Sequence, residues 1–337
     1  MGYGPNHFNV ATHLNNLAHL LHDTNRLAEA EPLLRRALII NEQNYGPEHP
    51  TVAIALNSLA RLLQDTTRIA EAEPLMRRAL TIAEQNYGQE HPNVAVSLNN
   101  LVSLLKSTNR MADAEPLMRR ALIIAEQHYR PEQPEVAVNL NNLAQLLQET
   151  NRLAEAEPLI RRALTIVEQS FGPNHPEVAT HLNTLAQLLQ DSNQIAEAEP
   201  LMRRALTIDE QNYGPEHPKV AIRLNNLAQL LQDTNRLTEA EPLMRRALTI
   251  VEQSCGLKHP LVATHLNNLA TLLQATHRLA KAEFLMRRSL SILHRFGQST
   301  GHRHPRLEVT SLNYLGLLRA MGLSNQDIAV RFKQIFG

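Results

Sequence analysis

The sequence predicts an all-α protein built from antiparallel helix pairs stacked in series. Three observations carry that prediction. A fixed period runs through the chain: Pro50, Pro92, Pro134, Pro176, Pro218 and Pro260 are each 42 residues apart. Each period holds two stretches whose apolar residues recur at helical spacing. Proline, glycine and asparagine punctuate both stretches at constant positions. Length alone would suggest two or three globular domains. A stack of repeats grows by addition instead, and has no single core to outgrow.

Full copies open at Gly4, Gly46, Gly88, Arg130, Gly172, Gly214 and Gly256. Most carry a phrase resembling Gly-Pro-Glu-His-Pro, and Phe8 stands where later copies have proline. Pro305 lies three residues beyond the place the period sets, so residues 297–304 read as a longer loop. A partial repeat and a terminal cap follow over 301–337, and residues 1–337 read as one solenoid of about seven repeats plus that remainder.

Residues 175–214 show one copy. Val178, Leu182, Leu185 and Leu189 are spaced four, three and four apart, an apolar helix stripe. Pro176 suits its first turn, where a missing N–H costs nothing. The helix should stop near Asn193, because Asn tolerates the left-handed conformation that ends helices. Asn25, Asn109, Asn151 and Asn235 hold the same place, with Thr67 and His277 in two copies. A second stripe follows through Ile195, Ala198, Met202, Ala205 and Ile208. Pro200 requires that helix to begin within roughly four residues before it. Lengths of ~15 and ~15–18 residues are expected for the two helices. Small residues such as Ala186, Ala198 and Ala205 should let the axes approach to ~8–10 Å.

Composition narrows the function classes. Lys plus Arg equals Asp plus Glu, 33 each, so the basic excess typical of nucleic-acid binders is missing. Cys255 is the single cysteine, which leaves no internal disulfide or cysteine-based metal site. No signal peptide is recognisable, and no apolar run reaches the ~18 residues a membrane span needs. A soluble cytoplasmic protein without cofactor or metal, engaging neither nucleic acid nor membrane, is expected. No glycine-rich phosphate loop or His-activated nucleophile is visible, so an enzyme is not expected.

Leu185-Ala186 and the spaced alanines of the second helix resemble the tetratricopeptide repeat (TPR) family. Its usual period is 34. The longer period here, with 140-LNNLAQLL-147 and 196-AEAEPLMRRALTI-208, is similar to the repeats of kinesin light chains. The resemblance implies a right-handed superhelical solenoid whose first helices line a concave groove for a peptide or partner segment. It places peptide-contacting asparagines at Asn16, Asn100, Asn142, Asn226 and Asn268, with Ser58, Thr184 and Tyr314 as departures. Four residues earlier, where kinesin light chains often have Lys, stand Thr12, Ile54, Val96, Val138, Thr180, Ile222 and Thr264.

Helical spacing extends this face. Three residues beyond each groove asparagine lie His19, Arg61, Ser103, Gln145, Gln187, Gln229 and Thr271, and four further Asp23, Asp65, Ser107, Glu149, Asp191, Asp233 and Ala275. Arg61, Gln145, Gln187 and Gln229 join the asparagines as candidate binding residues. The groove should be amide-rich and neutral to mildly acidic. A solvated face copied by duplication is the alternative. The preceding asparagine, from Asn15 to Asn313, recurs in all eight copies and reads as structural, satisfying a neighbouring backbone group.

The arginine pairs, Arg35-Arg36 through Arg287-Arg288, follow glutamates by one to two turns, so intrahelical pairing and solvation are expected. His49, His91, His175, His217 and His259 recur one repeat apart, too far for a shared zinc, and read as caps or loop contacts. His302 with His304 and His19 with His22 are the close pairs. Cys255 replaces a terminal Tyr or Phe and reads as a packing variant. Ser324 and Asp327 suggest a capping box for a final amphipathic helix carrying Ile328, Phe332, Ile335 and Phe336. The first repeat has no comparable cap. The chain could then be a fragment, or self-associate through that end. Three functions follow: a scaffold binding an unknown protein or peptide, a sensor or recruitment region of a larger signalling protein, and a self-assembling structural solenoid.

Overall fold

The computed structural model describes residues 4–24, 26–301 and 303–336. Among them are sixteen α-helices and no strand. Two compact units divide the chain, Met1–Gly172 and Pro173–Gly337. The first holds α1 (Phe8–Asp23), α2 (Leu27–Tyr45), α3 (Pro50–Asp65), α4 (Ile69–Tyr87), α5 (Pro92–Ser107), α6 (Met111–His128), α7 (Pro134–Glu149) and α8 (Leu153–Phe171). The second holds α9 (Pro176–Asp191), α10 (Ile195–Tyr213), α11 (Pro218–Asp233), α12 (Leu237–Cys255), α13 (Pro260–Ala275), α14 (Leu279–Thr300), α15 (Arg306–Ala320) and α16 (Asn325–Phe336). From α1 and α2 to α13 and α14, each first helix packs on the second helix of its own repeat, and within each unit that one packs on the next repeat; α15 and α16 both pack on α14.

Local chemistry fixes the boundaries. The loop histidine is the N-cap: Nδ1 of His49, His91, His175, His217 and His259 accepts the backbone N–H two residues on. Tyr45, Tyr87 and Tyr213 stack on the histidine that follows. First helices end where Thr67, Asn109, Asn151, Asn193, Asn235 and His277 take positive φ. Asn25, expected in that role, and His302 lie outside the described residues. Second helices end at glycines with φ of 82–87°, such as Gly88 and Gly256. Where Arg130 replaces that glycine, α6 stops earlier, with Tyr129 at φ −109° as its C-cap.

Three expectations are corrected. Gly297 is helical, because α14 runs 22 residues to Thr300 before Gly301 turns left-handed. The connection is therefore shorter than 297–304. Pro200 is the sixth residue of α10, since the helix begins at Ile195. The carbonyl it deprives of a donor belongs to Ala196, an exposed residue that water can solvate. Tyr314 is not a groove position. The helix register sets it level with the core leucine Leu269, fully buried and donating to Glu283 at 2.8 Å. Asn313, not Tyr314, thus continues the series of Asn226 and Asn268.

The core is a seam of Val, Leu, Ile and Ala. Val52, Leu56, Ala79 and Ile82 form one representative cluster. Ala60, Ala72, Ala186, Ala198 and Ala205 are wholly inaccessible, which places backbones in close approach. The far end is covered as expected. Ser324 and Asp327 form the capping box, and α16 lays Phe332 against Tyr314 with ring centroids 5.4 Å apart.

Thr67 is β-branched at φ 62°, a conformation asparagine tolerates better. Thr67→Asn should raise the urea midpoint, equivalent to about 1 kcal/mol. Acid should weaken the second unit. Burial, reinforced by the Arg306 charge, pushes the imidazoles of His265 and His304 down from 6.5 to about 4. Between those values the unfolded chain binds more protons than the folded one. Stability from these groups is full above about pH 6.5 and is lost as pH falls toward 4. Thermal melts across that interval should show the decline, and His265→Leu should flatten it.

Candidate functional site

The polar face of the first helices survives folding, but its asparagines are not equivalent. In the second unit the two asparagines of adjacent repeats bond to each other. Nδ2 of Asn226 donates to Oδ1 of Asn183 at 2.9 Å, Asn268 to Asn225 at 2.9 Å, and Asn313 to Asn267 at 3.2 Å. In these three pairs the inner asparagine accepts from a side-chain amide, where a backbone partner was expected. Asn226 and Asn268 each spend one N–H on this stitch and retain one N–H and the carbonyl. In the first unit Oδ1 of Asn15, Asn57 and Asn99 is buried without a partner among the described residues. Asn99 instead donates to Asn139 at 3.1 Å.

A cleft of about 410 Å³ opens along α9, α11, α13 and α15 above Met244. Gln190, Gln229, Gln232, Asp233, Asn267, Asn268, Thr271 and Asn313 line it. Two anticipated residues, Gln229 and Asn268, come together there. Asn226 and Gln187 lie outside that lining; Gln187 accepts from Asn183. Asp233 is the only charged residue in the lining and accepts from Gln190. The cleft is thus amide-rich and mildly acidic, as the sequence implied. Gln190 and Gln232 were missed, because they sit three residues beyond Gln187 and Gln229, on the flank of the expected stripe.

In the first unit Arg61 borders a small cavity with His19, His22 and Ser58. Asn16 is exposed on α1, whereas Asn100, Asn142 and Gln145 are half-buried on α5 and α7. Gln145 is already engaged in a contact. None of these four lines that cavity.

Most arginines of the two rows are not free cations. The first members from Arg35 to Arg245 pair within the helix, for example Arg77 with Glu73 and Arg203 with Glu199 at 2.7 Å. Their second members correct the intrahelical expectation by crossing between repeats. Arg78 reaches Glu42 at 2.7 Å and the Pro47 carbonyl at 2.8 Å, and Arg246 repeats this with Glu210 and Pro215. A third row went unnoticed in the sequence. Arg68, Arg110 and Arg236 open second helices and each pairs with a glutamate of the preceding repeat. Hydrogen bonds from Arg152 and Arg119 hold the Glu115 carboxyl below the usual carboxylate range.

One buried ion pair is singular. Arg223 Nε donates to Asp209 Oδ2 at 2.8 Å between α11 and α10, with the Asp209 side chain 1% exposed. Arg223 Nη2 also reaches the Thr180 hydroxyl at 3.3 Å. Both residues were visible as exceptions: other copies have Ala, Val, Asn or Leu in place of Asp209, and Ala, Ser, Asn, His or Thr in place of Arg223. Among the described residues no cluster of His, Cys, Asp and Glu suits a metal ion, and no helix is long and apolar enough to cross a membrane.

Comparison with known proteins agrees with this architecture. No curated sequence matches. A Podosopora anserina chain of nearly identical TPR-like repeats, of kinesin-light-chain type, superposes with TM-score 0.52 at 22% identity, covering 61% of this chain and 97% of its own. BtubC (BKLC) from P. vanneervenii gives 0.52 at 23%, covering 72% and 93%. The apo form of RapI gives 0.62 at 15%, covering 86% and 99%. At these identities the likeness concerns the fold. The tetratricopeptide repeat profile matches residues 9–85, 53–127, 135–211, 194–253 and 221–294, and the chain belongs to that family.

Proposed function

We propose that this protein is a protein-interaction scaffold that takes up an extended segment of a partner along the amide-lined cleft of its second unit. Proteins of this repeat family generally mediate protein–protein interaction. The observation that carries the finer reading is the convergence of Gln229, Gln232, Asn267, Asn268, Thr271 and Asn313 on one open cleft. Amides and hydroxyls offer donors and acceptors together, so they can pair with an extended backbone whatever its sequence. The repeat spacing presents such groups at intervals, while the apolar seam beneath keeps them in place. Each bond would contribute about 1 kcal/mol, so selectivity must come from several acting together.

Gln229→Ala, Asn268→Ala and Thr271→Ala combined should lower partner capture by affinity purification at least tenfold, with the helical circular dichroism unchanged. These side chains face the cleft and leave the buried seam intact. Undiminished capture by the folded triple variant would remove the cleft from consideration. A recruitment region within a larger protein would use the same surface, and capture by this chain alone tests both.

The exposed leucines of α1 favour a second reading, self-assembly. Leu17 and Leu20 are 47% and 61% exposed, whereas Leu59 and Leu62, their counterparts in α3, are 1% exposed. Leucines that pack against a neighbouring repeat elsewhere are open here, and a second copy could cover them. Light scattering should then report a dimer that Leu17→Ser with Leu20→Ser dissociates. A monomer at all concentrations would exclude this reading.

A further inference from the structure

The second unit contains one structural position three times over, and it is occupied differently each time. It lies where a first helix, the second helix of the same repeat and the next first helix meet. At the first of these joints Thr180, Asp209 and Arg223 hold it. The Arg223 side chain fills the space, pairs with Asp209 and reaches the Thr180 hydroxyl. At the second joint the equivalents are Ile222, Val251 and His265, and the imidazole is buried, 7% exposed. At the third they are Thr264, Leu293 and Thr310. Threonine is much shorter than arginine or histidine, and the space is open.

That opening is a pocket of about 220 Å³ lined by Thr264, Asn267, Leu293, Pro305, Arg306, Val309 and Thr310. Thr310 is 4% exposed, and its hydroxyl has no hydrogen-bond partner among the described residues. The Thr264 hydroxyl, equivalent to the one Arg223 contacts, likewise has none. The carboxylate has gone, since Leu293 replaces Asp209. A cation has arrived instead: Arg306, in the first turn of α15, has no ion-pair partner among the described residues. Its charge is felt by His265 on the neighbouring helix. No acidic residue lines the pocket.

We infer that this pocket receives a carboxylate on a short aliphatic stem, as in a glutamate side chain of a peptide lying in the adjoining cleft. The inference rests on the cleft reading, because Asn267 lines both spaces. Leu293, Pro305 and Val309 suit methylene groups, the threonine hydroxyls donate to one carboxylate oxygen, and the guanidinium neutralises the charge. The joint at Arg223 shows that one extended side chain fits such a space. The polarity is reversed, with the host supplying the cation and the guest the anion. Inorganic phosphate shares the charge but lacks the aliphatic stem, and would leave the apolar walls uncovered.

The test uses methyl-labelled protein titrated with N-acetyl-glutamate methylamide, its glutamine analogue and inorganic phosphate at fixed ionic strength. Saturable shifts of the Leu293, Val309 and Thr310 methyls are expected with the glutamate probe, with at least tenfold weaker binding of the glutamine analogue. Arg306→Gln should weaken the glutamate probe at least tenfold. Thr310→Arg with Leu293→Asp, which refills the pocket with the pair found at Arg223 and Asp209, should abolish binding. Should that variant fail to fold, Arg306→Gln at an exposed position still decides. Equal binding of both amino-acid probes, tighter binding of phosphate at the same methyls, no shift with any probe, or indifference to Arg306→Gln would overturn the inference. Because the probes are single residues, such failure leaves partner capture through Gln229, Asn268 and Thr271 independently testable.

Discussion

Everything in this protein depends on burial of an apolar seam that no helix pair can bury alone. A pair such as α3 and α4 has apolar residues on the faces it shares and on the faces it turns outward, so stability requires a neighbour. Each Leu removed from water contributes about 1.5–3 kcal/mol. The constant alanines make the arrangement possible, because a larger side chain at Ala60 or Ala79 would separate the helices and open cavities along the seam. Close approach also sets the distance between neighbouring first helices, which brings Asn226 to within 2.9 Å of Asn183.

Polar groups then refine what the seam has positioned. The amide stitches between first helices and the arginine bridges between second helices lie on different faces, and both recur with the repeat. Many of the bridges are partly exposed, so each contributes little by itself. Their effect is on register: a one-helix slip would leave Arg78 without Glu42 and Asn268 without Asn225. The buried pair of Arg223 and Asp209 acts more strongly in the same direction. An ion removed from water without its partner is costly, so only the native pairing of these two nearly identical repeats is tolerated. The function inferred for the cleft is the remainder of this arrangement, since its lining keeps donors and acceptors that the stitches do not consume.

Much of the fold was legible because it rests on repetition. A mistake in one copy is corrected by the next, and histidine caps, left-handed asparagines and helix stripes appear together in phase. Legibility failed where repetition failed. Near Gly297 the lost period suggested a loop, but that stretch has no helix-breaking proline and α14 simply continues. At Tyr314 the sequence phrase suggested the groove, whereas the helix turns the phenol into the core and hands the groove position to Asn313. The candidate site was legible as a face and not as a set of residues. Spacing identified Gln229 and Asn268, but could not show that Gln190 and Gln232 curve into the same cleft.

The sequence by itself determined the helix pairs, most of their boundaries and which stripe of each helix is apolar, because these depend on contacts within a few residues. It also determined the amide-rich character of the exposed face. The tertiary structure alone decided which asparagines bond to each other, which arginines leave their own helix for a neighbour, and where packing leaves space beside Thr310. Those outcomes depend on distances between residues some 40 positions apart. Such distances are set by the closeness of helix packing, and no local pattern in the chain records them.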